Sequence, residues 1–188
     1  MMHLHYRKIF LSFLLLLLFI GITPPAAAQV SLIYGLDWSP DGSMIAVGRA
    51  NTVEVLDTAT KAIIKTLTSE VYGIYSVDWS PDGTQIAAGG TGTSGTTVWD
   101  VNTGQIVATE PYPGPTLNVK WNSDNIQIAT TGIDNSIGIW NGQTGQRITS
   151  ALIGGSVADW SPDGTKIVVN GNDGTNRAYV ADISSNTV

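Results

Sequence analysis

The run Trp79-Ser80-Pro81-Asp82-Gly83 occurs again as Trp38-Ser39-Pro40-Asp41-Gly42 and Trp160-Ser161-Pro162-Asp163-Gly164, and in altered form as Trp121-Asn122-Ser123-Asp124-Asn125. From tryptophan to tryptophan the steps are 41, 42 and 39 residues. A period in that range marks an array built from one repeated supersecondary unit, and it constrains the fold more than any other property of the chain.

Each copy reads as the end of one strand, a tight reversal and the start of the next. Proline presets φ for the second position of a type I turn, aspartate bonds the nearby backbone, and glycine takes the left-handed position that closes the reversal. Asn125 stands where the third copy lacks that glycine, and asparagine is the next most tolerant of positive φ. Before each tryptophan the chain alternates, with apolar Leu36, Val77, Val119 and Ala158 two places earlier and polar Asp37, Asp78, Lys120 and Asp159 one place earlier. After the turn come a second apolar run (45–47, 86–88, 128–130, 167–169), a third strand (53–57, 97–100, 137–141, 178–182) and, in three units, a fourth (62–67, 106–110, 147–152). Four short antiparallel strands in about 40 residues make a propeller blade. The expected fold is therefore all-β, with units at approximately 31–67, 72–110, 116–152 and 156–188, and 15 strands in all. Gly89 to Gly95 read as a loop between second and third strands, without the lysine and following helix of a phosphate cradle.

The N-terminus differs in kind. A basic segment at Arg7-Lys8, an apolar run over 9–22, and Thr23-Pro24-Pro25-Ala26-Ala27-Ala28 have the lengths of a secretory signal peptide cut before Gln29. A membrane span needs about 20 apolar residues; an uncleaved anchor is the alternative. Residues 1–28 are thus expected to be a signal peptide and 29–188 an exported domain, periplasmic or secreted. All 15 acidic residues follow the cut and two of the nine basic ones precede it, so the domain carries a formal charge of −8. Nucleic acid and anionic membranes require basic patches, and neither is an expected partner.

The chain contains no cysteine, and its two histidines, His3 and His5, lie in the signal segment. The exported part therefore lacks disulfides, thiol nucleophiles, imidazole bases and zinc sites of the usual ligand sets. No cofactor, metal or catalytic residue is expected.

Val98-Trp99-Asp100 and Ile139-Trp140-Asn141 in third strands, Thr103-Gly104 and Thr144-Gly145 after them, and the Trp-Ser-Pro-Asp-Gly turns together resemble WD40 repeats from Gln29 onward. The last unit, with residues 161–167 and 177–182, also resembles the propeller repeats of TolB-like periplasmic proteins. The Gly-His pair frequent in WD40 repeats is absent, which implies that the family's buried Asp-His-Ser/Thr-Trp network does not form and that packing alone holds Trp99 and Trp140. Leu56 and Ala181 stand where the third-strand tryptophan would be in units one and four. WD40 rings usually close with about seven blades, and propellers span four to eight. Four units then imply a fragment, two copies joined as an eight-bladed homodimer, or a tight four-bladed ring, because an unclosed stack exposes apolar blade faces.

The resemblance implies a non-catalytic scaffold that binds another protein or peptide through the loops from fourth to first strand and from second to third. Glu70, Tyr72, Glu110, Tyr112, Asp134 and Asp173 are the candidate contact residues there, tyrosines for contact area and acids for basic partners. An exported hydrolase or lyase using paired carboxylates is the alternative, but Asp41, Asp82, Asp163, Asp57, Asp100 and Asp182 are accounted for as turn and strand-end residues. A structural subunit of a larger assembly is the third reading.

Overall fold

A computed structural model describes residues 32–68, 71–92, 94–110, 114–151, 155–171 and 177–183. The expected signal peptide and its cut site, and the candidates Glu70, Tyr112 and Asp173, lie outside these. The described residues form fifteen strands and no helix: β1 (Gly35–Trp38), β2 (Met44–Arg49), β3 (Thr52–Asp57), β4 (Ile63–Thr68), β5 (Val71–Trp79), β6 (Gln85–Gly92), β7 (Thr96–Asp100), β8 (Ile106–Thr109), β9 (Thr116–Trp121), β10 (Gln127–Gly132), β11 (Ile137–Asn141), β12 (Arg147–Ala151), β13 (Ala158–Trp160), β14 (Lys166–Asn170) and β15 (Ala178–Asp182). They make four antiparallel sheets in chain order, three of four strands and a last one of three.

The repeated turn forms as its residue types dictate. In each exact copy the glycine N–H donates to the serine carbonyl three residues back, at 2.8 Å, 2.9 Å and 2.8 Å for Gly42, Gly83 and Gly164. The Asn125 N–H donates likewise to the Asn122 carbonyl at 3.2 Å, with φ of 58°. The aspartate is the hub: Asp82 Oδ1 accepts from Ser80 Oγ at 2.7 Å and from the Thr84 N–H and hydroxyl at 2.9 Å each. Hydroxyl and amide donors of this kind favour the carboxylate form and hold Asp163 down to about 2, chiefly through Ser161. A second recurrent turn follows each of the first three third strands, where Asp57, Asp100 and Asn141 accept the N–H of Thr60, Thr103 and Thr144.

One stretch departs from expectation. β6 continues through Gly92, so that Gly89, Gly90, Thr91 and Gly92 are strand and not loop. They pair with a nine-residue β5, whose register shifts between Tyr72 and Ser76. Glycine suits this crossing because a Cβ on Gly90 would lie 2.8 Å from the Tyr72 carbonyl oxygen.

Three apolar clusters lie between consecutive sheets. The first joins Ala46, Val53, Val55 and Leu67 to Val77, Trp79, Ile86, Ala88 and Trp99. The second joins Ala87, Val98 and Ala108 to Val119, Trp121, Ile128 and Trp140. The third joins Ala129, Ile137 and Ile139 to Ala158, Ile167, Val169 and Ala181, with Trp160 against it. Each sheet thus has a leading face, carrying the tryptophan of its first strand, and a trailing face, which in the first three sheets the next sheet covers. Burying one such Val or Ile contributes roughly 1.5 to 3 kcal/mol, so these junctions dominate the stability.

Three readings of the sequence are corrected. The periodic tryptophan is not an anchor in every sheet: Trp79 is 4% exposed but Trp38 is 59% exposed, because no described residues cover the first sheet's leading face. No apolar cluster joins the fourth sheet to the first among the described residues, so the sheets form an open series and not a tight four-bladed ring. Packing alone does not hold Trp99 either, since its indole N–H donates to the Thr68 carbonyl at 3.3 Å.

Trp79→Ala should lower unfolding stability by about 3 to 5 kcal/mol, as a large core truncation does. Tyr72→Ala, at an exposed position, should change it by less than roughly 0.5 kcal/mol. Urea denaturation of both variants measures the difference.

Candidate functional site: the first-strand row and the loop rim

The first strands of successive sheets lie side by side, β1 beside β5, β5 beside β9 and β9 beside β13. A strand at a sheet edge leaves N–H groups that need acceptors. Here the preceding sheet supplies them from the positions one and three places before its tryptophan. The Trp79 N–H donates to Asp37 Oδ2 and the Trp121 N–H to Asp78 Oδ2, each at 2.7 Å. The Val119 N–H donates to Ser76 Oγ at 3.2 Å, and the Ala158 N–H to Asn118 Oδ1 at 3.0 Å. Gly35 occupies the corresponding place in the first sheet, where a Cβ would stand 2.9 Å from Val77 N.

Lys120 interrupts this row. It occupies an acceptor position without an acceptor, and its Nζ turns back to Asp78 Oδ1 at 2.5 Å. The Trp160 N–H then bonds its own neighbour, Asp159 Oδ1, at 2.9 Å, while the Trp160 indole N–H reaches the Lys120 carbonyl at 3.0 Å. Burial pushes the Asp78 carboxyl up to about 6, against the opposing pull of Lys120 and the Trp121 N–H. Burial acts to lower Lys120, but Asp78 outweighs it and holds the ammonium above its ordinary value.

Of the candidate contact residues, Tyr72 and Asp134 are exposed on the rim formed by the loops from fourth to first and from second to third strands. The Tyr72 carbonyl accepts from Thr91 Oγ1 at 2.7 Å. Asp134 Oδ1 accepts the Ser136 N–H at 3.0 Å and its hydroxyl at 2.7 Å, so the carboxylate organises the β10–β11 turn. They stand in different sheets. Glu110 is not a rim residue: it is 5% exposed, between the second and third sheets. Its carboxylate accepts from Thr96 Oγ1 and Thr130 Oγ1, each at 2.9 Å, and burial raises its pKa against those bonds and the charge of Arg147.

The sequence reading missed an aromatic pair on the same rim. Tyr34 and Tyr75 meet edge to face, ring centres 5.8 Å apart and planes at 68°, and they are 59% and 36% exposed. Tyr75 lies in the irregular part of β5, which is tied to the first sheet by the Ile74 N–H on the Ala50 carbonyl at 3.3 Å. Leu32, Ile33 and Tyr72, within three residues of one or the other in the chain, are exposed as well. The available signal was positional: both tyrosines stand four residues before the repeated tryptophan.

Asp78 titrates in a direction that can be tested. Its folded-state pKa lies above that of an unfolded aspartate, so its contribution to stability is full below about pH 4 and declines as pH rises through about 6. The stability of the wild type relative to Asp78→Asn should therefore fall between pH 4 and pH 7, by up to about 3 kcal/mol for a shift of two pH units. Thermal unfolding of the pair across that range measures it, and the turn aspartates, common to both proteins, cancel.

Two family models match the sequence: the WD40 domain of anaphase-promoting complex subunit 4 over residues 7–80 and the WD domain, G-beta repeat, over residues 61–101. No curated protein matches it. Among solved structures, Kuenenia stuttgartiensis hydrazine synthase superposes with a TM-score of 0.71 at 17% sequence identity, over 87% of this chain and 51% of that chain. The present chain thus spans about half the length of that one, and the likeness is one of fold. The matched repeat models, the 39-to-42-residue tryptophan period and the successive antiparallel sheets agree: the chain carries WD40 repeats folded as blades of a β-propeller.

Proposed function

We propose that this protein is an exported, non-catalytic interaction scaffold whose rim binds another protein or peptide. The observation that carries this reading is the exposed Tyr34–Tyr75 pair beside Leu32, Ile33 and Tyr72. Tyrosine supplies large contact area with a polar tip at little entropic cost, and tyrosines are enriched where binding energy concentrates. The pair spans the junction of the first and second sheets, which the second sheet's buried Trp79 and Trp99 hold together, so the surface is held in one shape before a partner arrives, which reduces the ordering cost of binding. One matching family model describes a subunit of a multiprotein complex, which supports binding as the use of such repeats. The net negative charge of the chain favours a partner with basic groups around an apolar centre.

The double substitution Tyr34→Ala and Tyr75→Ala should abolish capture of a partner that the wild-type bait retains from the envelope or culture fluid, while leaving the unfolding midpoint nearly unchanged. Retention of the same partner by both baits overturns the assignment of the rim.

Export rests on the basic, apolar and small-residue segments that end at Ala28. N-terminal sequencing of the protein recovered outside the cytoplasm should begin at Gln29; a start at Met1 would favour the anchor.

A further inference from the structure

The first strands of the second and third sheets break their own alternation as they reach the rim. In β5, Trp79 and Val77 face the first sheet and join the apolar cluster there, and the side chain two places earlier belongs on the same face. That residue is Tyr75. Yet Tyr75 is 36% exposed, whereas its neighbour Ile74 is 1% exposed and stands in the cluster in its place. The pairing shows how this happens: Ser76 faces Gly89 and Tyr72 faces Thr91, so Gly73, Ile74 and Tyr75 together stand opposite Gly90. Gly73 takes a φ of 54° within this bulge, and a bulge re-aims the side chains it contains.

A notch in the preceding sheet receives the displaced residue. A Cβ on Gly48 of β2 would stand 2.6 Å from Ile74 Cγ2 and 3.2 Å from Val77 Cγ1, so the isoleucine fits because the position is glycine. The next junction is built alike. In β9 Asn118 pairs with Thr131 and Thr116 with Gly132, which leaves Leu117 as the extra residue. Thr116 is 4% exposed and sits against Gly89, where a Cβ would lie 2.6 Å from its Cγ2, while Leu117 is half-buried. In both cases the notch glycine lies ten residues after one repeated tryptophan, and the seated residue five before the next.

We infer that the seating of Ile74 against Gly48 is what presents Tyr75 on the rim: the isoleucine takes the inward place that alternation assigns to the tyrosine, and the tyrosine is turned out because that place is filled. Isoleucine fills the notch with carbon alone, whereas a tyrosine there would carry a hydroxyl into an apolar cluster. Ile74 and Gly48, both buried, are thus positioning residues for a side chain that a partner meets, a role that rests on the rim as the binding surface. The Ile74 N–H on the Ala50 carbonyl ties the same residue to the first sheet through its backbone, so the presented ring is fixed to both sheets.

The test uses the full chain, which has no cysteine of its own, so a single introduced thiol can be followed. Tyr75→Cys should react readily with a maleimide. Adding Ile74→Asn should slow that reaction severalfold, because an amide is costly in the apolar notch and the thiol, a small apolar group, takes its place. Adding Ile74→Val instead should leave the rate unchanged, and deleting Gly73 and Ile74, which restores regular pairing of β5 with β6, should slow it as Ile74→Asn does. Circular dichroism and tryptophan emission show that the fold is kept; where the deletion does not fold, the two substitutions decide. Equal labelling in the presence of Ile74→Asn and Ile74→Val overturns the inference. Labelling is read without a partner, so it judges the seating of Ile74 whether or not the rim binds, and loss of capture by the paired tyrosine substitutions judges the rim. With Tyr75 in place, Ile74→Asn should lose a partner that Ile74→Val retains, and retention by both would overturn the positioning role.

Discussion

Every sheet in this molecule depends on the junction between one leading face and one trailing face. A four-stranded sheet of some forty residues has two apolar faces and too little chain to cover either, so it is stable only against a neighbour. The repeated indole solves the packing problem, because one large side chain on the last residue of the first strand spans the gap to the previous sheet. The carboxylate one residue earlier points to the other face and solves a second problem, the unpaired N–H of the next sheet's first strand. Alternation along one strand thus places an anchor and an acceptor on opposite faces. Each junction receives its indole from one sheet and its acceptor from the other.

This arrangement fixes where variation can be accommodated. The turn after the tryptophan is closed within a few residues by Asp41, Asp82, Asp124 and Asp163, and the turns after three of the third strands by Asp57, Asp100 and Asn141. Both kinds lie on one side of the array and are alike from unit to unit. Among the described residues the opposite rim has no such common motif: Ala50 bonds into the next sheet, Asp134 organises one turn, and Tyr34 and Tyr75 stand exposed. A rigid array with one uniform side and one variable rim is suited to recognition on the variable rim.

Local chemistry was legible in the sequence, and its long-range use was not. The turns, Asn125 included, follow from residue types within five positions, and structure and expectation agree there. Trp38 and Trp79 have nearly the same local sequence, yet only Trp79 is buried, because burial is decided by a sheet some forty residues away. Asp78 read as the polar half of an alternating strand; its function as acceptor for Trp121 depends on a partner 43 residues on. Glu110 ended an expected fourth strand and preceded a proline-rich stretch, the pattern of a rim acid. Its burial depends on Thr96 and Thr130, whose hydroxyls converge only once the second and third sheets meet.

Lys120 shows how far the repeat tolerates departure from its own rule. An ammonium donates and cannot accept, so at this position the link to the next sheet's tryptophan N–H is lost. The fourth sheet is instead held by Asn118 on the Ala158 N–H and by the Trp160 indole on the Lys120 carbonyl. The displaced charge is not left buried alone: it joins Asp78, which already accepts from Trp121, and the pair sits where desolvation opposes both ionised forms. The carboxylate's link is thus replaced by a backbone carbonyl, with Asn118 standing where Ser76 stands at the junction before, and the junction keeps its apolar cluster. Indole and register are therefore the invariant part of the junction, and the polar link can be supplied by whichever neighbouring group offers a lone pair.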